Sequence, residues 1–165
     1  MAARVFIVHG WMGTPQRDWL PWLKRELQKK GMEVIVPKMP STNRPDMKAW
    51  IKHLNSVIGR ANKNTYLIGH SIGGQAILRY LQSLNRGKIG GAIIVASWTN
   101  RRKGKFRSSE RAKMMSPWLK TPFLWNNIKG RSESFVAIYS TDDPYVPQSA
   151  GKELKRKLHA KLVVI

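Results

Sequence analysis

Apolar residues along this chain fall into two alternating rhythms. Short runs, Val5-Phe6-Ile7-Val8, Glu33 to Pro37, Thr65 to Ile68, Ala92 to Val95, Phe135 to Tyr139 and Lys161 to Ile165, are too short for buried helices. They read as strands of a parallel sheet covered on both faces. Between them apolar residues recur every three or four positions, the spacing of one helix face. Trp19, Trp22, Leu23 and Leu27 lead to Gly31, with Asp18 as the expected cap. Met47, Trp50, Ile51, Leu54, Val57 and Ile58 follow Asp46, a second expected cap. Gly74 to Leu81 continues the pattern and closes near Leu84 to Gly87, and Gln148 to Leu158 forms a weaker helix. The order β-α-β-α-β-α-β-insert-β-α-β predicts an α/β fold: a mainly parallel central sheet of about six strands with helices on both faces. The expected organisation is a single domain over residues 1–165. Its rhythm is interrupted at about 98–131 by short helices and loops lying over the strand ends.

The junction after the third run changes the picture from fold to chemistry. Tyr66-Leu67-Ile68 is followed by Gly69-His70-Ser71-Ile72-Gly73 and then by a helical pattern. Strand, G-x-S-x-G, helix is the context of a nucleophile elbow, a strained turn that lifts a serine hydroxyl above the sheet edge. The glycines suit backbone passing too close for a Cβ. The plainer alternative is a Gly-rich turn of the kind many α/β proteins carry.

Composition sets the outer bounds. Apolar residues make up 42% and there are seven Trp, so the chain has material for a core. It has no Cys, hence no disulfide framework and no thiolate metal site. No long apolar segment suggests a signal peptide or membrane span, so a cytoplasmic setting is expected. The charge is +21, from 30 Lys and Arg against nine Asp and Glu. Such a field attracts polyanions without specificity. The densest cluster is Arg101-Arg102-Lys103-Gly104-Lys105-Phe106-Arg107, and no nucleic-acid reader motif accompanies it. Of the tryptophans, Trp19, Trp22 and Trp50 are expected in the core. Trp11, Trp98, Trp118 and Trp125 either line an apolar acyl pocket or pack the insert onto the sheet.

Sites in open α/β sheets form at the carboxyl ends of strands. Three segments leave strands there. Ser71 is one. Asp143, in Ser140-Thr141-Asp142-Asp143-Pro144-Tyr145-Val146-Pro147, is the second; such an acid either orients an imidazole or caps its own turn, and Asp142 is the neighbouring choice. His9-Gly10-Trp11-Met12 is the third, a source of backbone N–H groups that join that of Ile72 in an oxyanion hole, with the His9 ring bracing the loop. A hydrolase ordered Ser, Asp, His needs an imidazole after Asp143, and only His159 qualifies by position. It enters the last strand from the amino end, a full strand length at about 3.3 Å per residue from the catalytic edge. His70 is expected to point into packing and His53 to lie at the surface.

These segments together resemble the small serine hydrolases of the α/β-hydrolase superfamily related to retinoblastoma-binding-protein-type hydrolases. The likeness rests on Val8-His9-Gly10-Trp11, Gly69 to Gly74, Ala92 to Ala96, Trp125 to Lys129 and Asp142-Asp143-Pro144-Tyr145-Val146-Pro147. The resemblance implies that Ser71 is the nucleophile, Asp143 the triad acid, and Trp11 and Ile72 the oxyanion donors. It implies a small ester or acyl substrate, no cofactor and no metal. Two departures qualify it. Family members continue past the last strand into a loop bearing the triad His, whereas this chain stops at Ile165, and they are not this basic. The expectation is therefore a monomeric esterase-like hydrolase with weak or absent turnover, an engineered or fragmentary derivative truncated before its triad His. A rival reading is a non-enzymatic basic scaffold for nucleic acid or another polyanion.

Overall fold

A computed structural model describes residues 2–99 and 110–165; the cluster Arg101 to Arg107 lies outside the described residues. Six strands form one sheet: β1 (Arg4–Val8), β2 (Glu33–Ile35), β3 (Thr65–His70), β4 (Gly91–Val95), β5 (Phe135–Tyr139) and β6 (Lys161–Val164). Their order is β2-β1-β3-β4-β5-β6, and every neighbouring pair is parallel. The helices are α1 (Leu20–Lys29), α2 (Met47–Ile58), α3 (Ile72–Ser83), α4 (Glu110–Lys120), α5 (Trp125–Lys129) and α6 (Gln148–Leu158). This is the α/β architecture that the apolar runs predict, with α4 and α5 between β4 and β5.

Register decides which residues share a face. Phe6 pairs with Leu67, Leu67 with Ala92, and Ala92 with Phe135. All four belong to the larger core, with Trp50 and Leu54 of α2, Ile77 and Leu81 of α3, Trp118 of α4, Ile128 of α5 and Leu154 of α6. Five helices therefore cover one face. The opposite face carries Val34, Val5, Ile7 and Ile68, covered by α1 through Leu20, Leu23 and Leu27. Among the described residues no other helix packs there. Ile93, Val136, Ile138 and Val163, which follow along the same face, stay half-exposed. Helices lie on both faces as expected, but one to five.

Two expectations about α1 fail. Asp18 does not cap it: Trp19 is the N-cap with no side-chain bond, Pro21 occupies the first turn, and Asp18 has φ +58°. Proline removes the N–H that a cap at Asp18 would use at its third helical position. Trp22 is not core but 56% exposed. At about 100° per residue it lies on the far side of the helix from Leu20. Asp46 does cap α2, accepting the Ala49 N–H at 2.7 Å. Asp46→Ala is expected to cost about 1 kcal/mol in urea unfolding.

The insert packs as the plainer alternative had it, at least through Trp118. This residue is 1% exposed, stands edge-on to Trp50 at 5.8 Å and donates its indole N–H to Pro45 O. Arg79 of α3 fastens the end of the same helix. Its guanidinium is buried, donates to the carbonyls of Trp118, Thr121 and Pro122, and lies 4.2 Å over the Phe123 ring. Burial pushes its pKa down to about 10.

Candidate active site

Because all six strands run one way, their carboxyl ends lie along one edge. Gly10 follows β1 there, Ser71 follows β3, Ala96 follows β4 and Ser140 follows β5. Ser71 sits at φ +54° and ψ −123°, a conformation costly for any residue with a Cβ. Backbone bonds hold it: its N–H donates to Val95 O at 2.9 Å, and its carbonyl accepts the Gly74 N–H at 3.0 Å.

The surrounding glycines explain how so sharp a turn fits. A Cβ on Gly73 would come within 2.3 Å of Val8 O, and one on Gly69 within 2.6 Å of Gly74 Cα. One on Gly74 would meet the Ser97 side chain at 2.7 Å. Side chains at these positions would push α3 off the sheet. The motif therefore encodes close approach as well as the turn.

The loop after β1 runs beside the serine. A Cβ on Gly10 would lie 3.4 Å from Ser71 Cβ and 3.3 Å from His70 Nδ1. Trp11 is anchored by its indole N–H to Asn43 O at 3.1 Å, and Met12 N–H reaches Thr42 O at 2.9 Å. Ile72 is the first residue of α3, where backbone N–H groups find no acceptor within the helix and the macrodipole is positive. Trp11, Ser71 and Ile72 thus converge on one part of the edge.

Asp143 lies on the same edge, half-buried. Its Oδ1 accepts the N–H groups of Tyr145 at 2.7 Å and Val146 at 2.9 Å, the turn-capping alternative for this residue. Its field also reaches His70. Asp142 is exposed and accepts from the Ser140 hydroxyl.

The histidines separate clearly. His9 is 1% exposed, with Nε2 accepting the Met39 N–H at 3.2 Å and Nδ1 facing Gly10 O at 2.9 Å. That pairing requires the neutral ring protonated on Nδ1, so His9 braces the loop as expected. His70 packs edge-on against Trp19 at 5.7 Å. His159 caps α6 at the amino edge, beside Lys129 Nζ at 3.2 Å, away from Ser71. His53 is half-buried on α2. The grouping of Trp19, Asp18 and His70 escapes sequence reasoning because the residue type of Asp18 suggests a helix cap; Pro21 is the signal against that role.

Burial lowers the pKa of His9, with its bond to Gly10 pulling weakly the other way, and lowers that of His70, with the fields of Asp18 and Asp143 partly offsetting it. Both rings are neutral in the fold more readily than in the unfolded chain. The unfolded state therefore takes up more protons once pH drops below about 6.5, and stability falls with it. Urea midpoints are expected to decline from pH 7.5 to pH 5.5, and His9→Gln to remove part of that decline.

Comparison with known proteins supplies the family and the fold. Residues 5–165 match the family model described as Serine hydrolase. The chain is 31% identical over 163 residues to YdeN of Bacillus subtilis, covering 98% of this chain and 82% of that protein. It is 26% identical over 155 residues to the serine hydrolase RBBP9 of Rattus norvegicus, covering 93% and 74%. The crystal structure of the B. subtilis ydeN gene product superposes with a TM-score of 0.88 at 30% identity, over 99% of this chain and 85% of that one.

Proposed function

The chain belongs to the serine hydrolase family, and on that footing we propose an esterase-type acyl hydrolase acting on a small-molecule ester or related acyl compound. Ser71 is the nucleophile, Asp143 the triad acid, and the backbone N–H groups of Trp11 and Ile72 the oxyanion donors. The observation that carries the reading is Ser71 itself: a non-glycine residue at φ +54°, at the carboxyl edge, immediately before the first turn of α3. Strain of this kind persists where the surrounding structure enforces it, and it clusters at active sites.

In the reaction Ser71 Oγ bonds to the substrate carbonyl carbon while its proton passes to an imidazole. The two N–H groups take the charge that gathers on the carbonyl oxygen. Collapse breaks the ester C–O bond, and the alcohol leaves with the proton. Water then repeats the sequence on the acyl-serine, releasing the acid. The carboxylate's role is to hold and stabilise the imidazolium.

These 165 residues offer that imidazole poorly. His9 spends both ring nitrogens on backbone, His159 stands at the opposite edge, and His70 packs on Trp19. We read the polypeptide as a catalytically impaired hydrolase, slower than a complete triad by roughly 10⁴- to 10⁶-fold. We further read it as a single-domain monomer of the cytoplasm; among the described residues no helix is long and apolar enough to cross a membrane.

Incubation with a fluorophosphonate, followed by intact mass and peptide mapping, tests the assignment. A single slow adduct on Ser71, with barely detectable p-nitrophenyl acetate turnover, is the expected result. An adduct elsewhere would remove Ser71 from its role. Fast turnover that depends on Ser71 would overturn the missing-imidazole argument and point to His70.

A further inference from the structure

A parallel sheet has a second edge, and here that edge gathers the positive charge. The amino ends of β3, β4, β5 and β6 are fed by the segments 60–64, 85–90, 129–134 and 155–160, which register places side by side. Residues 60–63, 86–88 and 129–133 each carry two Lys or Arg, and 155–161 carries four, ten in all, against the single carboxylate of Glu133. Glu133 is already engaged by Lys88 at 3.1 Å and Lys63 at 3.9 Å. The catalytic edge is different in kind. Residues 9–19, 36–46 and 140–147 hold Arg17, Lys38 and Arg44 against Asp18, Asp46, Asp142 and Asp143. Among the described residues the excess charge is thus polarised along the strand direction.

Helix C-termini explain part of this, since cations there offset the macrodipole, as Lys155, Arg156 and Lys157 do in the last turn of α6. They do not explain cations beyond the helix ends, at Lys63, Arg131 and Lys161. The loops are also bound to one another. Arg131 donates to Asn85 O at 2.9 Å and Gly87 O at 3.3 Å, and Ile89 bridges Ser132. The cations therefore stand on a rigid rim.

We infer that the amino edge of the sheet is a binding surface for the phosphodiester backbone of nucleic acid, read without sequence preference. Three inter-strand steps from β3 to β6 span about 14 Å. Duplex DNA carries about eight charges over that length, a fair match to the rim's cations. Asn62, Asn85 and Ser134, between the cations, suit phosphate and sugar oxygens. A surface built to enter an anionic membrane would place several exposed apolar side chains among its cations. Among the described residues one large exposed side chain stands on this edge, the ring of Tyr66 beside Gly90; Met12, Trp22, Leu124, Tyr145, Val164 and Ile165 lie elsewhere.

Two triple variants of equal net charge separate this surface from the general field. One is Arg60→Gln with Arg86→Gln and Arg156→Gln on the rim; the other is Arg25→Gln with Lys48→Gln and Lys52→Gln on the exposed sides of α1 and α2. All six residues are exposed, and circular dichroism checks that both variants fold. Anisotropy titration of a labelled 20-base-pair duplex across salt concentrations gives the slope of log K against log salt. The rim triple is expected to shallow that slope by about 2 to 3, near 0.9 for each phosphate left unneutralised, and the side triple by less than about 1. Equal effects would reduce the binding to net charge and overturn the proposal. So would a larger effect from Arg101→Gln with Arg102→Gln and Lys103→Gln, or absence of duplex binding at 50 mM salt. Tighter, rim-dependent binding to vesicles of phosphatidylserine and phosphatidylcholine than to the duplex would assign the surface to membranes instead.

Discussion

Replacing Ser71 by Ala is expected to abolish covalent capture of a fluorophosphonate entirely, while replacing it by Gly is expected to do the same and also stabilise the protein. The two variants divide chemistry from conformation. Both remove the hydroxyl, so neither forms the adduct. Ala keeps a Cβ at φ +54° and ψ −123°, so the strain stays and the unfolding midpoint hardly moves. Gly relieves a strain of about 1–3 kcal/mol and gives back about 1 kcal/mol through the freedom of its unfolded chain. The net gain should be about 1 kcal/mol. Chemical denaturation of the three proteins side by side measures it. A Gly variant less stable than the parent would mean that the turn is relaxed, and the argument from strain would fail.

The second large effect concerns Gly73→Ala, which is expected to destabilise the fold by about 3 kcal/mol or more, a large share of the roughly 5–15 kcal/mol by which a domain is stable. The added methyl would sit 2.3 Å from Val8 O and 2.6 Å from His9 O. Both are backbone atoms of β1 and its exit, so no rotamer change makes room. The strand would have to part from α3, carrying the Gly10–Trp11 loop away from Ser71. Gly31 and Gly59 offer the contrast. They have positive φ, but nothing stands within 4 Å of an added Cβ. Alanine there should cost the conformational penalty alone, about 1–2 kcal/mol at Gly31 and about 1–3 kcal/mol at Gly59, whose ψ of −134° is close to that of Ser71. Thermal melts of Gly73→Ala and Gly59→Ala compare contact with conformation directly.

The sheet is legible because its central strands are apolar on both faces: an unbroken run such as Val5 to Val8 has few other readings. Asp46 is legible as a cap because nothing nearby contradicts it. Asp18 is not, because Pro21 and a left-handed backbone override a residue preference that is only local. Trp22 misleads by its type, although its angular position on α1 already places it opposite Leu20. At the site, Ser71 is visible in sequence because a turn this tight leaves glycines around it. The partner of His9 is not, since Met39 comes to it across 30 residues of chain. The grip of Arg79 on carbonyls about 40 residues away is equally long-range. Nor does periodicity say which side of a sheet a helix will take, and the one-to-five division between faces emerges only from register.

That division has a physical consequence for the protein in bulk. Val136, Ile138 and Val163 form a half-exposed oily strip beyond Ile93, outside the cluster that α1 covers among the described residues. Left to itself such a strip would draw molecules together until they clump. A net charge of +21 makes each molecule a repelling colloid, holding neighbours apart by long-range force where the described helices leave the strip half-exposed. The same lysines and arginines that look excessive on paper would then be what keeps molecules with this half-exposed strip dispersed.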